Sequence, residues 1–164
     1  MKQAILFTPL AWLLAGCATL FAPPPQPGDS EQAVLARLGQ PTARYADGAD
    51  TLLEYAWGGL SQFSYMARLG PDHRLRNYRQ VLTSDNFATV KVGSDSKASI
   101  LRKFGRPAET MYLSLPKLEV WSYRYKEADV WDSMMHVHFD HDGVVRMMMN
   151  GPDPERDEKR RWGP

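Results

Sequence analysis

The sequence predicts an α+β chain in which a short helix is followed by a three-stranded antiparallel meander, and in which that unit is made twice. Two observations predict it. A helix-forming segment with its stop signal recurs without a gap at an offset of 66 residues. Each copy is then followed by short runs of alternating apolar and polar residues, the period of a half-buried strand.

The repeat is read directly. Ser30-Glu31-Gln32-Ala33-Val34-Leu35-Ala36-Arg37-Leu38-Gly39-Gln40-Pro41 realigns on Ser96-Lys97-Ala98-Ser99-Ile100-Leu101-Arg102-Lys103-Phe104-Gly105-Arg106-Pro107. Asp29 with Asp95, Tyr55 with Trp121 and Trp57 with Tyr123 keep the same offset. Asp29 and Asp95 are the expected N-caps, with Gln32 completing a capping box in the first copy. Val34, Leu35 and Leu38, matched by Ile100, Leu101 and Phe104, give each helix one apolar face, and Leu38 and Phe104 are expected in equivalent buried positions. Gly39 and Gly105 end the helices, and Pro41 and Pro107 prevent their resumption. Helices this short need a surface to pack on.

That surface is the expected sheet. In the first copy the strands read as Leu52 to Trp57, Gln62 to Leu69 and Arg74 to Leu82, broken by Gly58-Gly59 and by the turn Gly70-Pro71-Asp72-His73. In the second they read as Leu118 to Tyr125, Ser133 to Asp140 and Val144 to Met149, with Asp142-Gly143 as the last turn. The domain boundaries follow: a first unit over 29–82, a linker over 83–92, a second unit over 93–150 and a disordered charged tail over 151–164.

The N-terminus carries its own signal. Lys2 precedes an apolar run from Ala4 to Leu14 that is too short to span a bilayer, which takes about 20 residues. Leu14-Ala15-Gly16-Cys17 follows, and it resembles the lipobox of bacterial lipoproteins. That resemblance implies a signal peptide over 1–16, a diacylglyceryl group on Cys17 and a stable lipid anchor, since two acyl chains suffice where one is marginal. Ala18, where those lipoproteins use Asp for inner-membrane retention, implies the periplasmic face of the outer membrane. Residues 17–28 hold Pro23-Pro24-Pro25-Gln26-Pro27 and read as a semi-stiff tether. Cys17 is the sole cysteine, so no internal disulfide is expected. Removal of residues 1–16 leaves 19 basic and 19 acidic residues, a balance that argues against nucleic acid as a partner.

Candidate chemistry is sparse. Ser61, Ser64, Asp72 and His73 are residue types of a hydrolase, but no nucleophile-elbow or phosphate-cradling pattern surrounds them, and no catalytic residue is assigned. Glu54 and Glu119 read as solvated strand residues. His136, His138 and Asp140 would project from one strand face with metal-ligand chemistry, yet two histidines make half a structural zinc site, so no metal and no cofactor is expected. Met147-Met148-Met149 is explained by edge packing, with soft-metal binding as its other reading. Trp57 and Trp121 are expected in the core. Tyr65, Tyr78 and Tyr125 are the expected partner-binding residues, on a sheet face left open opposite the helix.

Taken with the lipobox cysteine, three further features resemble the small outer-membrane lipoproteins of the SmpA/OmlA type. These are Leu38-Gly39-x-Pro41 with Phe104-Gly105-x-Pro107, the strand Trp121-Ser122-Tyr123, and Val137-His138-Phe139-Asp140-x-x-Gly143-Val144-Val145. The tandem arrangement is similar to that of beta-lactamase inhibitor proteins. The resemblance implies a non-enzymatic, lipid-anchored module that binds an envelope protein in assembly or maintenance. The alternatives are an inhibitor of a periplasmic enzyme and a metal-handling lipoprotein.

Overall fold

The computed structural model describes residues 23–156; Cys17, the expected signal peptide and the end of the charged tail lie outside them. The chain runs α1 (Glu31–Leu38), β1 (Ala43–Asp47), β2 (Asp50–Ala56), β3 (Ser64–Leu69), β4 (Leu75–Gln80), α2 (Ser84–Phe87), α3 (Lys97–Phe104), β5 (Glu109–Leu113), β6 (Leu118–Glu127), β7 (Trp131–Phe139) and β8 (Val145–Pro152). β1 to β4 form one antiparallel sheet in chain order, and β5 to β8 form another. The protein is therefore mostly β. The expected α+β unit, a helix with a three-stranded meander, is corrected by two four-stranded sheets. The strands missed are β1 and β5. Ala43-Arg44-Tyr45-Ala46-Asp47 and Glu109-Thr110-Met111-Tyr112-Leu113 lie at sheet edges with no buried side chain, so they carry no apolar alternation. Ladder pairing with β2 and β6 makes them strands, not burial.

The helix ends follow the sequence closely, with the cap one residue later than expected. Ser30 Oγ accepts from the Ala33 amide at 3.2 Å, and Ser96 Oγ accepts from Ser99 at 3.3 Å. With Ser30 as the cap, Gln32 no longer stands at the capping-box position. Asp29 and Asp95 hold the incoming chain instead. Asp29 accepts from the Gln26 amide at 2.9 Å and from Arg37, and Asp95 accepts from the Lys91 amide at 2.8 Å and from Lys103. Gly39 and Gly105 close the helices at φ of 80° and 78°, a region that side-chain-bearing residues rarely adopt.

The halves share further contacts, and these revise the strand alignment. Tyr55 Oη donates to the Gly39 carbonyl at 3.4 Å, and Tyr123 Oη donates to the Gly105 carbonyl at 3.1 Å. Tyr55 thus corresponds to Tyr123 rather than to Trp121. The turn between β5 and β6 is two residues longer than that between β1 and β2, which moves the offset from 66 to 68.

Packing builds four layers. α1 lies on one face of the first sheet, where Val34 is buried with Leu53, Tyr55, Ala67, Leu69 and Leu75. The opposite face of that sheet offers Leu52 and Met66 to α3 and α2. Ile100, Phe104 and Phe87 fill the space between these and the inner face of the second sheet, where Tyr123, Tyr125, Val137 and Phe139 are buried. Phe104 is fully buried, whereas Leu38 is only partly covered. The outer face of the second sheet buries Val120, Ser122, Arg124 and Met134, with Asp153 and the helical turn at 154–156 beside Arg124.

Two charged side chains lock these layers. Glu54, expected to be solvated, is fully buried. It accepts from Tyr45 Oη at 2.6 Å and from the Arg106 amide at 3.0 Å, so it ties the first sheet to the end of α3. Arg124 is buried and pairs with Glu109 and with the fully buried Asp153, while its Nε donates to the Gly59 carbonyl at 3.0 Å. Ordered structure therefore passes the expected boundary at 150: Gly151 and Pro152 complete β8, and Asp153 is anchored beneath Arg124.

Phe104→Ala is expected to cost about 3–5 kcal/mol and Leu38→Ala distinctly less, because only the first opens a cavity in a closed core. Urea unfolding of the two variants measures the difference, and equal losses would contradict the burial described.

Candidate functional site

Beyond the end of α1 the first sheet keeps an aromatic row in the open. β2 and β3 place Tyr55 opposite Tyr65, and β3 and β4 place Ala67 opposite Tyr78, all on the α1 side. Trp57 packs on Tyr65 at 5.9 Å between ring centroids, Tyr65 stacks on Tyr78 at 5.1 Å and Tyr78 meets Tyr55 edge-on at 6.5 Å. Tyr55 is buried and Tyr65 and Tyr78 are half-buried, while Trp57 is 71% exposed. In the loop after β2, Leu60 and Phe63 are also exposed, Leu60 beside Arg124, Asp153 and Arg156 and Phe63 at the space between the two halves. Burial raises the Tyr78 phenol to about 12, with Tyr65 and Tyr55 adding to the shift, so it stays a neutral donor at neutral pH.

Several expected assignments change here. Trp57 is a surface residue rather than a core residue, whereas Trp121 is buried against Phe139 as expected. Tyr125 is 1% exposed and belongs to the core, so it cannot offer an exposed contact. The open aromatic surface lies on the same sheet face as the helix and past its end, not on the opposite face.

The second sheet shows what fills such a place. Its aromatic pair Tyr123 and Tyr125 is covered by Phe87 of α2, at 6.2 and 4.9 Å, and Phe87 also packs on Phe104 at 4.7 Å. Asn86 fastens α2 by donating to the carbonyls of Val81 and Lys103 at 2.8 and 3.0 Å. Thus the expected linker 83–92 is a structural cover. Nothing in sequence periodicity marked it, although the lone Phe87 in a polar stretch was the available signal. Among the described residues the first sheet has no counterpart to Phe87.

A cavity of about 220 Å³ lies between the two halves, lined by Glu54, Ser64, Arg106, Tyr123 and Arg124 among others. Among the described residues, the Ser64 hydroxyl is buried there without a hydrogen-bond partner. No nucleophile and base meet in it. His73 Nδ1 lies 3.1 Å from Glu31 at the start of α1, Asp72 accepts from the Arg74 amide, and Ser61 donates to the Phe63 carbonyl.

The expected metal candidates separate. His136 and His138 share one face of β7, but Asp140 is a turn residue. Its carboxylate accepts from the amides of Asp142 and Val144 at 3.0 and 2.9 Å and from Arg146 at 2.6 Å, which holds its pKa below the usual range. Among the described residues no three His, Cys, Asp or Glu side chains are gathered for a metal ion.

No family model matches this chain, and no curated protein matches it. Two crystal structures show a distant likeness. One is a DUF4309 family protein, YjgB, from Bacillus subtilis subsp. subtilis str. 168, with 14% identity, a TM-score of 0.30 and coverage of 74% of this chain and 76% of that one. The other is a "putative beta-lactamase inhibitor protein" from Streptococcus mutans, with 17% identity, a TM-score of 0.32 and coverage of 76% and 83%. At such TM-scores neither establishes a shared fold.

Phe87→Ala is expected to destabilise the domain by about 3–5 kcal/mol, and Trp57→Ala by less than about 1 kcal/mol, since one side chain is buried and the other is mostly in water. Denaturant midpoints of the two variants test this asymmetry.

Proposed function

We propose that this protein is a non-enzymatic, lipid-anchored module of the SmpA/OmlA type. In this reading it binds an envelope protein through the aromatic end of its first sheet and serves in envelope assembly or maintenance. The observation that carries the reading is the contrast between the sheets. The aromatic pair of the second sheet is covered by Phe87, whereas in the row Trp57, Tyr65, Tyr78 the end residue Trp57 is mostly in solvent and the two tyrosines are half-buried. Grouped exposed aromatic side chains of this kind are the usual anchors of protein interfaces. The occupant that fits is a partner segment offering one aromatic or branched apolar side chain, seated as Phe87 is seated. A lipid on Cys17 would raise the effective concentration of the module beside envelope proteins.

Two experiments test this. Cys17→Ser is expected to abolish membrane fractionation and the diacylglyceryl mass; attachment unchanged in that variant would remove the anchor from the proposal. A photo-crosslinking residue at position 57 or 60 is expected to yield one discrete adduct with an envelope protein. Tyr65→Glu should diminish that adduct at least about tenfold without changing the circular dichroism, as loss of an interface anchor does. Tyr125→Glu is expected to unfold the domain instead. Phe21→Ala is the control, because Phe21-Ala22 repeats Phe87-Ala88 at the 66-residue offset. A crosslink that forms only within the chain and vanishes in Phe21→Ala would show that the tether, not a partner, covers the row.

A further inference from the structure

The outer face of the second sheet, opposite α3, carries a second arrangement that the protein-binding reading does not use. Antiparallel pairing sets His138 of β7 opposite Met147 of β8 and His136 opposite Met149. Directly opposed residues stand with Cβ atoms about 4.5–5.5 Å apart, so the four side chains form a two-by-two array on one face. His138 is only 6% exposed, and neither of its ring nitrogens has a hydrogen-bond partner. A buried imidazole with no hydrogen-bond partner among the described residues is unusual, and its unprotonated nitrogen is a ready ligand. His136 is oriented by a 2.8 Å contact between Nδ1 and Ser122 Oγ, which leaves Nε2 free to coordinate.

The methionines do not behave as core filler. Met148, between them, packs against the core, while Met147 and Met149 point outward at 40% and 51% exposure. Among the described residues, Glu109 is the carboxylate whose charge reaches His136. Glu109, the carboxylate paired across from Ser122 at this face, is taken by Arg124, and Asp140 is taken by its turn. Neutral imidazole with thioether, and without carboxylate or thiolate, suits a soft monovalent cation and disfavours zinc, calcium and magnesium.

We propose that His136, His138, Met147 and Met149 bind one soft monovalent cation, copper(I) or silver(I), on the outer face of the second sheet. The site is two pairs of ligands on adjacent strands, so it needs no rearrangement of the core.

The test uses the full chain carrying Cys17→Ser, which removes the one thiol that would compete for the same ions. With methyl-labelled methionine, silver(I) is expected to saturate at one equivalent and to shift the Met147 and Met149 signals while leaving Met66 unmoved. Competition against a copper(I) chelator is expected to show an affinity loss of about tenfold or more in His138→Ala and in the double variant Met147→Leu, Met149→Leu. The Leu variant conserves volume at exposed positions and so keeps the fold, which circular dichroism confirms. Unmoved Met147 and Met149 signals, wild-type affinity in the Leu variant, or equal saturation by zinc would each overturn the proposal.

Discussion

Each sheet must bury a face, and each is preceded by a helix of only eight residues to help it do so. Such a helix is about 12 Å long, whereas the seven residues of β2 extend about 23 Å, so a helix laid on its sheet leaves part of that face bare. Most of the architecture answers this shortfall. α3 serves two sheets at once, burying Ile100 and Phe104 between Leu52 and Met66 on one side and Tyr123 and Val137 on the other. α2 extends it, with Phe87 over Tyr125. The first sheet gains α3 on its second face but, among the described residues, has only α1 on its first, and the remainder is the row of Trp57, Tyr65 and Tyr78, of which Trp57 is left in water. The open surface is thus the place where two short helices and one linker run out.

Stacking in layers also demands polar fasteners, since apolar contact alone does not fix how two sheets sit about one helix. Glu54 supplies one, buried beneath Tyr45 and the Arg106 amide. It also explains a glycine. A Cβ at Gly105 would come within 2.5 Å of the Glu54 carboxyl, so that position is confined by contact as well as by its positive φ. Arg124 supplies the other, joining Glu109, Asp153 and the Gly59 carbonyl. Removing one member of such a buried set leaves a charge without its counterpart, which is costlier than never having placed the set there. The loop that bears Leu60 and Phe63 is held from below in this way, through Gly59 to Arg124 and through Leu60 to Arg156.

α1 and α3 were legible because their signals are local: a polar cap before the first turn, read one residue early at Asp29 and Asp95, an apolar stripe and a glycine after the last; α2, in the expected linker, was not. Six of the eight strands were legible from alternation, and their turns from Gly70-Pro71 and Asp142-Gly143. β1 and β5 were not, because an edge strand owes its form to a neighbour's ladder rather than to its own burial. Burial itself was read poorly wherever it depended on the other half. Trp57 and Tyr125 occupy corresponding positions two residues past Tyr55 and Tyr123, yet one is in water and the other in the core, because only one has Phe87 above it. Glu54 looked solvated for the same reason: its partners are nine residues away in the chain and fifty-two residues away. The histidine pair was visible in the sequence, but Met147 and Met149 joined it only once the register of β7 and β8 was known.

The layer order bears on how the two proposed surfaces relate. The aromatic row lies on the α1 side of the first sheet, and the histidine–methionine array lies on the outer face of the second, so α3 and both sheets stand between them. An occupant of one therefore meets no atom of an occupant of the other. Coupling between them would have to pass through packing or through the links from the second sheet to the loop after β2: Arg124, whose Nε donates to the Gly59 carbonyl at 3.0 Å, and Gln62, which donates to the Tyr125 carbonyl at 3.2 Å and to Asp132 at 2.8 Å. These links are hydrogen bonds, not a hinge. Nothing in them offers two discrete arrangements, which is what transmission between distant sites requires. The two surfaces are accordingly expected to bind independently, each set by its own sheet and by the cover that sheet lacks.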